Sequence, residues 1–191
     1  DYTKTVIERA LPVLKASEGR AFMLFTSHRA LKEAANLLIK SIDYPCFVQG
    51  DAPKMELLEQ FRAGNNAILL GTSSFWEGVD VKGPALSCVI IDKLPFAMPN
   101  DPVLKARASL LEEQGKNAFM EYQLPQAVIA LKQGVGRLIR DANDCGVLMI
   151  CDPRLRSKSY GKVFLNSLPK IPITNEIEAV QSYFNNLVSK L

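Results

Sequence analysis

The sequence predicts an α/β fold: a mainly parallel sheet with helices on both faces. Three observations carry this expectation. Short, near-continuous apolar runs recur along the chain, as strands covered on both faces require. Helical patterns separate most of these runs, which favours parallel strands joined by right-handed crossovers. The 191 residues are 48% hydrophobic and 23% charged, enough apolar side chain for a full core and too much for a disordered chain.

In order, a helical pattern over residues 3–16 leads into a strand at 21–26 (AFMLFT), and a helix over 28–41 into a strand at 45–49 (PCFVQ). A helix over 53–63 precedes the strand 67–71 (AILLG), and the next apolar run is the strand 87–92 (SCVIID). Two more helices fall within 100–140, and the last strand is 146–151 (GVLMIC). Leu168–Thr174 (LPKIPIT), with two prolines, reads as an extended connector. Beyond it, Ile177, Val180, Phe184, Leu187, Val188 and Leu191 recur at helical spacing, and Asn175 with Glu178 forms a start signal. The expected organisation is one domain over 1–170, followed by a connector and helix over 171–191. That helix either packs on its own domain or docks on a partner. Repeats and low-complexity tracts are absent.

The longest apolar runs, Ala67–Leu70 and Gly146–Cys151, fall far short of the roughly 20 residues that cross a bilayer. Asp1–Thr5 holds neither an initiator Met nor the pattern of a secretory leader, so the natural chain is expected to extend upstream. Cys46, Cys88, Cys145 and Cys151 lack Cys-x-x-Cys spacing and sit mostly in apolar runs, which reads as buried thiols in a cytoplasmic protein. The net charge of +3 conceals an asymmetry, since Lys132–Lys170 holds eight Lys/Arg against three Asp/Glu. A local basic segment fits a polyanion such as nucleotide or nucleic acid, and equally an ordinary solvated surface.

In parallel sheets ligands gather at the carboxyl ends of the strands. The turns that matter are therefore Thr26–Arg29, Gly71–Gly83, Asp92–Pro99 and Asp152–Arg156. The most informative segment is Pro125–Arg140 (PQAVIALKQGVGRLIR). On a helix, Val128, Leu131, Val135, Leu138 and Ile139 form one stripe. Gln133, Arg137 and Arg140, at i, i+4 and i+7, form another on the opposite side, flanked by Gly134 and Gly136. Two interior glycines each cost about 1 kcal/mol relative to alanine. They make sense if a ligand approaches the backbone beside the arginines, whose guanidinium forks suit a phosphate; the plainer reading is a solvated amphipathic helix.

QGVGRLIR resembles motif VI of superfamily 2 helicases, and GTSSFWEGVDVKG (Gly71–Gly83) resembles motif V of their XPD/DinG-like branch. AFMLFTSHRALKEAA (Ala21–Ala35) resembles motif IV, and LPFAMPNDP (Leu94–Pro102) also occurs in that branch. Four motifs in order over roughly 20–170 identify the chain as a member of this family, most similar to its bacterial DinG and YoaA types and to YoaA above all. The resemblance implies a RecA-like second motor domain, in which Arg137 and Arg140 are arginine fingers and Gln133 lies near the γ-phosphate or the attacking water. Asp80 then accepts from the ribose, Glu77 couples nucleotide to DNA, and Gly136 admits the nucleotide; as plain structure, the two carboxylates are turn or capping groups.

Gly71, Thr72, Ser73 and Ser74 read as a hydroxyl-rich turn able to hold a backbone phosphate. Thr26, Ser27 and His28 read as a second such turn, with Ser27 equally an N-cap. A lone histidine cannot make a metal site, so His28 is expected to serve local hydrogen bonding. Phe75, Trp76 and Phe96 either stack on bases or fill core. Lys93, Arg154, Arg156 and Lys158 form a candidate basic rim.

Neither a G-x-x-x-x-G-K-[ST] phosphate loop nor an Asp-Glu-x-His run occurs in the chain. The resemblance therefore implies half a motor. ATP and Mg²⁺ would sit at the interface with a first motor domain outside this chain, and the family's 4Fe-4S cluster would also lie outside, because these four cysteines are wrongly spaced for it. Implied partners are single-stranded DNA, that N-terminal motor domain and, for the YoaA type, the chi subunit of DNA polymerase III through the C-terminal region, with no membrane. The expected activity is 5′→3′ ATP-dependent unwinding in DNA repair or replication, and none by this segment alone. The alternatives are an RNA helicase or translocase, and a non-catalytic RecA-like interaction module.

Overall fold

A computed structural model describes all residues except 73, 74, 76–80, 82–84, 99, 137, 139–144 and 189–191. Five parallel strands form one sheet in the order β2-β3-β1-β4-β5: β1 Ala21–Phe25, β2 Cys46–Val48, β3 Ile68–Thr72, β4 Cys88–Ile91 and β5 Val147–Ile150. Central β1 pairs Ala21 with Ile68 and Phe25 with Thr72 on one side, and Ala21 with Cys88 on the other. Every residue of β1, β3 and β4 is buried, the reason their sequences are continuous apolar runs. All five expected strands are present: four lose one residue at one or both ends, and β3 lies one residue later than expected.

Alternate strand residues serve opposite faces, and a core lies on each. On one face Phe22, Leu24, Leu69, Val89 and Ile91 meet α3 (Lys54–Ala63), α5 (Leu124–Val135) and α7 (Gly161–Ser167) through Leu58, Phe61, Leu131 and Phe164. On the other, Met23, Phe25, Leu70 and Ile90 meet α1 (Tyr2–Ala16), α2 (His28–Leu38) and α8 (Ile177–Val188) through Leu14, Leu31, Leu38 and Phe184. At about 1.5–3 kcal/mol for each fully buried large apolar side chain, these two layers dominate the stability.

Helix α4 (Pro102–Glu113) starts where Asp101 accepts from the Val103 and Leu104 N–H groups and Pro102 takes a position that needs no donor. It buries only Leu104. A π-helical turn, Phe119–Gln123, runs from it into α5. Three expectations change. The helix expected over 28–41 ends at Leu38, and that expected over 125–140 ends at Val135, with Gly136 as its C-cap. Gly136 thus closes a helix rather than interrupting one, and the tight bond from the Leu138 N–H to the Val135 carbonyl follows it. Two short helices, α6 (Arg154–Ser157) and α7, were not expected at all. They cross so closely that a Cβ on Gly161 would overlap the Leu155 carbonyl.

The final helix begins at Ile177, two residues after the expected signal, and packs on α1 with Phe184 fully buried. Ile177, Val180 and Leu187 pack half-buried against the same core. None of the four cysteines is in a disulfide; Cys88 is buried and Cys145 exposed. Among the described residues no helix is long and apolar enough to cross a membrane.

Candidate nucleic-acid interface at the strand ends

Strand β1 leads into α2 on one face of the sheet, whereas its neighbour β4 leads toward α5 on the other. The crevice of this sheet therefore opens at the carboxyl ends of β1 and β4. Two carboxylates organise it. Asp92 accepts from the Thr26 N–H at 3.1 Å and the Lys93 N–H at 2.6 Å, with the Thr26 hydroxyl at 3.5 Å. Asp152 accepts from the Leu94 N–H at 2.8 Å and holds Arg154 through its backbone N–H (2.9 Å), Nε (3.0 Å) and Nη2 (2.6 Å). The Arg154 guanidinium lies 5.4 Å over the Phe96 ring, which stacks on Phe119. Tyr2, at the start of α1, donates its hydroxyl to the Asp92 carbonyl at 2.7 Å and carries the Lys93 ammonium 4.5 Å over its ring. The segment after β4 is thus fixed from three sides.

Burial pushes the Asp92 carboxyl up to about 6, opposed by the hydrogen bonds and charge of Lys93 and by Thr26. Burial also acts upward on Asp152, but hydrogen bonds from Arg154 and Leu94 outweigh it and hold that carboxyl below its ordinary value. Desolvation raises the Cys88 and Cys151 thiols to about 12, so neither is a nucleophile at neutral pH. The two carboxylates act on stability with opposite sign. Asp92 protonates more readily folded than unfolded, so its contribution is full below about pH 4 and is lost as pH rises through about 6. The Asp152 contribution is present above about pH 4 and lost on further acidification. Asp92→Asn is expected to remove the decline between pH 4 and 7, worth at most about 3 kcal/mol. Thermal midpoints across that range check it, and an unchanged pH profile would refute it.

The structure brings several expected residues together. Because Phe25 pairs with Thr72, Thr26–His28 and Gly71–Thr72 lie side by side at adjacent strand ends. Ser27 is the N-cap of α2, its hydroxyl accepting from the Ala30 N–H at 3.2 Å, and His28 is exposed. Gly71 and Thr72 are not a turn but the buried end of β3, and a Cβ on Gly71 would press on Phe75 at 3.0 Å. Phe75 is core, edge-on to Phe22, rather than a stacking platform, and half-buried Phe96 packs with half-buried Phe119 and Tyr160 around fully buried Phe164. Of the basic rim, Lys93 and Arg154 are engaged as described, and Arg156 and Lys158 are exposed. Gln133 is exposed on α5, one turn before exposed Gly136. Arg137, Arg140, Asp80, Glu77, Ser73, Ser74 and Trp76 lie outside the described residues.

The sequence reading did not single out Tyr2, Asp92 or Asp152 as site residues. For Asp92 and Asp152 a signal existed, since each directly follows an apolar strand. Among the described residues no three His, Cys, Asp or Glu side chains converge as a metal site.

The family model described as "Helicase C-terminal domain" matches residues 10–171. The chain is 54% identical over 166 residues to "ATP-dependent DNA helicase YoaA" of Escherichia coli K12, covering 87% of this chain and 26% of that protein. It is 48% identical over 179 residues to the Haemophilus influenzae protein of the same name, covering 94% and 28%. To "3'-5' exonuclease DinG" of Bacillus subtilis it is 38% identical over 175 residues, covering 86% and 19%. The solved structure "XPD_Helicase" superimposes with a TM-score of 0.65 at 24% identity, over 86% of this chain and 30% of that one, a likeness of fold. The chain thus spans about a quarter of the length of the YoaA relatives.

Proposed function

The chain belongs to the helicase C-terminal domain family, in its XPD/DinG-like branch, and we propose that it is the second motor half of an ATP-dependent DNA helicase moving 5′→3′ along single-stranded DNA in repair or replication. The observation that carries this reading is the alignment of Thr26, Ser27, Thr72 and Asp92 along one carboxyl edge of a parallel sheet, in a chain 54% identical over 166 residues to a protein named an ATP-dependent DNA helicase.

In this reading the strand passes over that edge at Thr26–His28 and Gly71–Ser73, where Asp92 and Gln49 hold the donors of Thr26 and Thr72 in place, and its backbone contacts carry no base specificity. Gln133, Arg137 and Arg140 face ATP bound with Mg²⁺ between this domain and the first motor domain, with Asp80, Glu77 and Gly136 toward the nucleotide. The guanidiniums neutralise charge on the transferring phosphoryl group. ATP favours the closed pair of domains, and its loss reopens them, so closure and opening shift the phosphate grip along the strand. The iron–sulfur cluster belongs to residues outside this chain, and the protein works in the cytoplasm. The chi subunit of DNA polymerase III is the proposed partner of the C-terminal region. Deleting 175–191 from the full-length protein is expected to abolish co-purification with chi, and retained binding would defeat that assignment.

The deciding experiment is ATP hydrolysis by the full-length protein with and without single-stranded DNA. Turnover stimulated by DNA supports the motor, whereas the 191-residue chain alone is expected to hydrolyse nothing. Absence of stimulation in the full-length protein would favour an interaction module instead.

A further inference from the structure

Gln49 stands one residue beyond β2, where its N–H still donates to the Leu70 carbonyl at 2.9 Å. The chain then reverses in a turn closed by the Asp51 N–H on the Val48 carbonyl at 3.1 Å. Gly50, with φ +104°, supplies the left-handed residue that the turn needs. A Cβ built there would meet nothing within 4 Å, so the outer side of the turn is open. The Gln49 side chain folds back over the neighbouring strand end, and its Oε1 accepts both the Thr72 N–H at 2.7 Å and the Thr72 hydroxyl at 3.0 Å. A backbone N–H can only donate, so the amide orientation is fixed: oxygen faces Thr72, and the NH₂ group is the other end.

That NH₂ group makes no hydrogen bond among the described residues, and it is not one of the buried side-chain atoms lacking a partner. Its two donors are held by a side chain already immobilised through the oxygen, so less rotamer freedom is lost when a ligand engages them. The Lys54 ammonium lies 5.3 Å over the Phe75 ring, and Phe75 in turn packs against Gly71 beside Thr72. A pair of amide donors at the strand end matches the oxygens of a backbone phosphate, which accept and never donate when ionised.

We propose that Gln49 donates from Nε2 to a backbone phosphate of the bound single strand, extending the grip of Thr26–His28 across β3 to the end of β2. This rests on the DNA-binding reading above and adds to it a contact that none of the four motifs contains. The structural role of Gln49, holding Thr72, uses Oε1; the proposed binding role uses Nε2. Substitution can separate them.

Gln49→Glu keeps an acceptor for Thr72, removes the donors and adds like charge. Gln49→Lys keeps donors and loses the acceptor. Both variants are made in the full-length protein, with affinity for a fluorescent oligothymidylate and the thermal midpoint as readouts. Gln49→Glu is expected to bind about tenfold more weakly, or about 1.4 kcal/mol, with its midpoint unchanged. Gln49→Lys is expected to bind at least as tightly as the parent even where its midpoint falls. Parental affinity in Gln49→Glu, or equal weakening in both variants, overturns the contact alone. A parent protein that does not bind the oligonucleotide overturns the helicase reading and the contact with it.

Discussion

Arg137→Ala in the full-length protein is expected to reduce DNA-stimulated ATP turnover by about 10³–10⁵-fold, the range over which arginine fingers act. At about 1.4 kcal/mol per tenfold, this is roughly 4–7 kcal/mol of barrier. The loss follows from chemistry rather than folding. Helix α5 is anchored through Leu124, Ala127, Leu131 and Val135, all buried, and it ends before residue 137. A side chain removed beyond its C-cap leaves that anchor intact, so the thermal midpoint should stay within a few degrees of the parent value. Steady-state hydrolysis with saturating single-stranded DNA is the measurement. Near-parental turnover would remove Arg137 from the catalytic assignment, and a collapsed midpoint would make the loss a folding effect.

Phe164→Ala is expected to cost about 3–5 kcal/mol in equilibrium unfolding, the range for a fully buried aromatic ring. Phe164 is wholly inaccessible, and its ring centroid lies 5.6 Å from Phe96 and 6.4 Å from Tyr160. The effect reaches the strand ends because Phe96 also carries the Arg154 guanidinium, and Arg154 is the partner of Asp152. Urea midpoints read the cost, and a loss under about 1 kcal/mol would mean that neighbouring rings close the cavity. The same variant should loosen the segment after β4, seen as faster hydrogen exchange at the Leu94 amide that Asp152 holds.

The strands were legible because β1, β3 and β4 are buried on both faces, and double burial writes itself into sequence as an unbroken apolar run. Helices α6 and α7 were not, since runs of four and seven residues are too short to display a period. The end of α5 was misplaced for a different reason: Leu138 is buried although the helix has already stopped, so the apolar period runs past the hydrogen-bonded one. Gly71 looked like a turn residue, whereas it is a strand residue that leaves room for Phe75. The location of the site followed from topology, which places ligands at strand ends. Its wiring did not, because Thr72 finds Gln49 across 23 residues and Thr26 finds Asp92 across 66, pairings that no local pattern displays.

Asp92 and Asp152 also decide what this edge looks like from outside. Acidic groups near a polyanion's track ordinarily work against it. Here both carboxylates are nearly inaccessible, their oxygens capped by peptide N–H dipoles and one guanidinium. They brace the backbone from beneath, and the cations nearest this edge are half-buried Lys93 and exposed Arg29. The edge is in effect electrostatically insulated: the acids hold it in shape from within, and its outer side presents the cations.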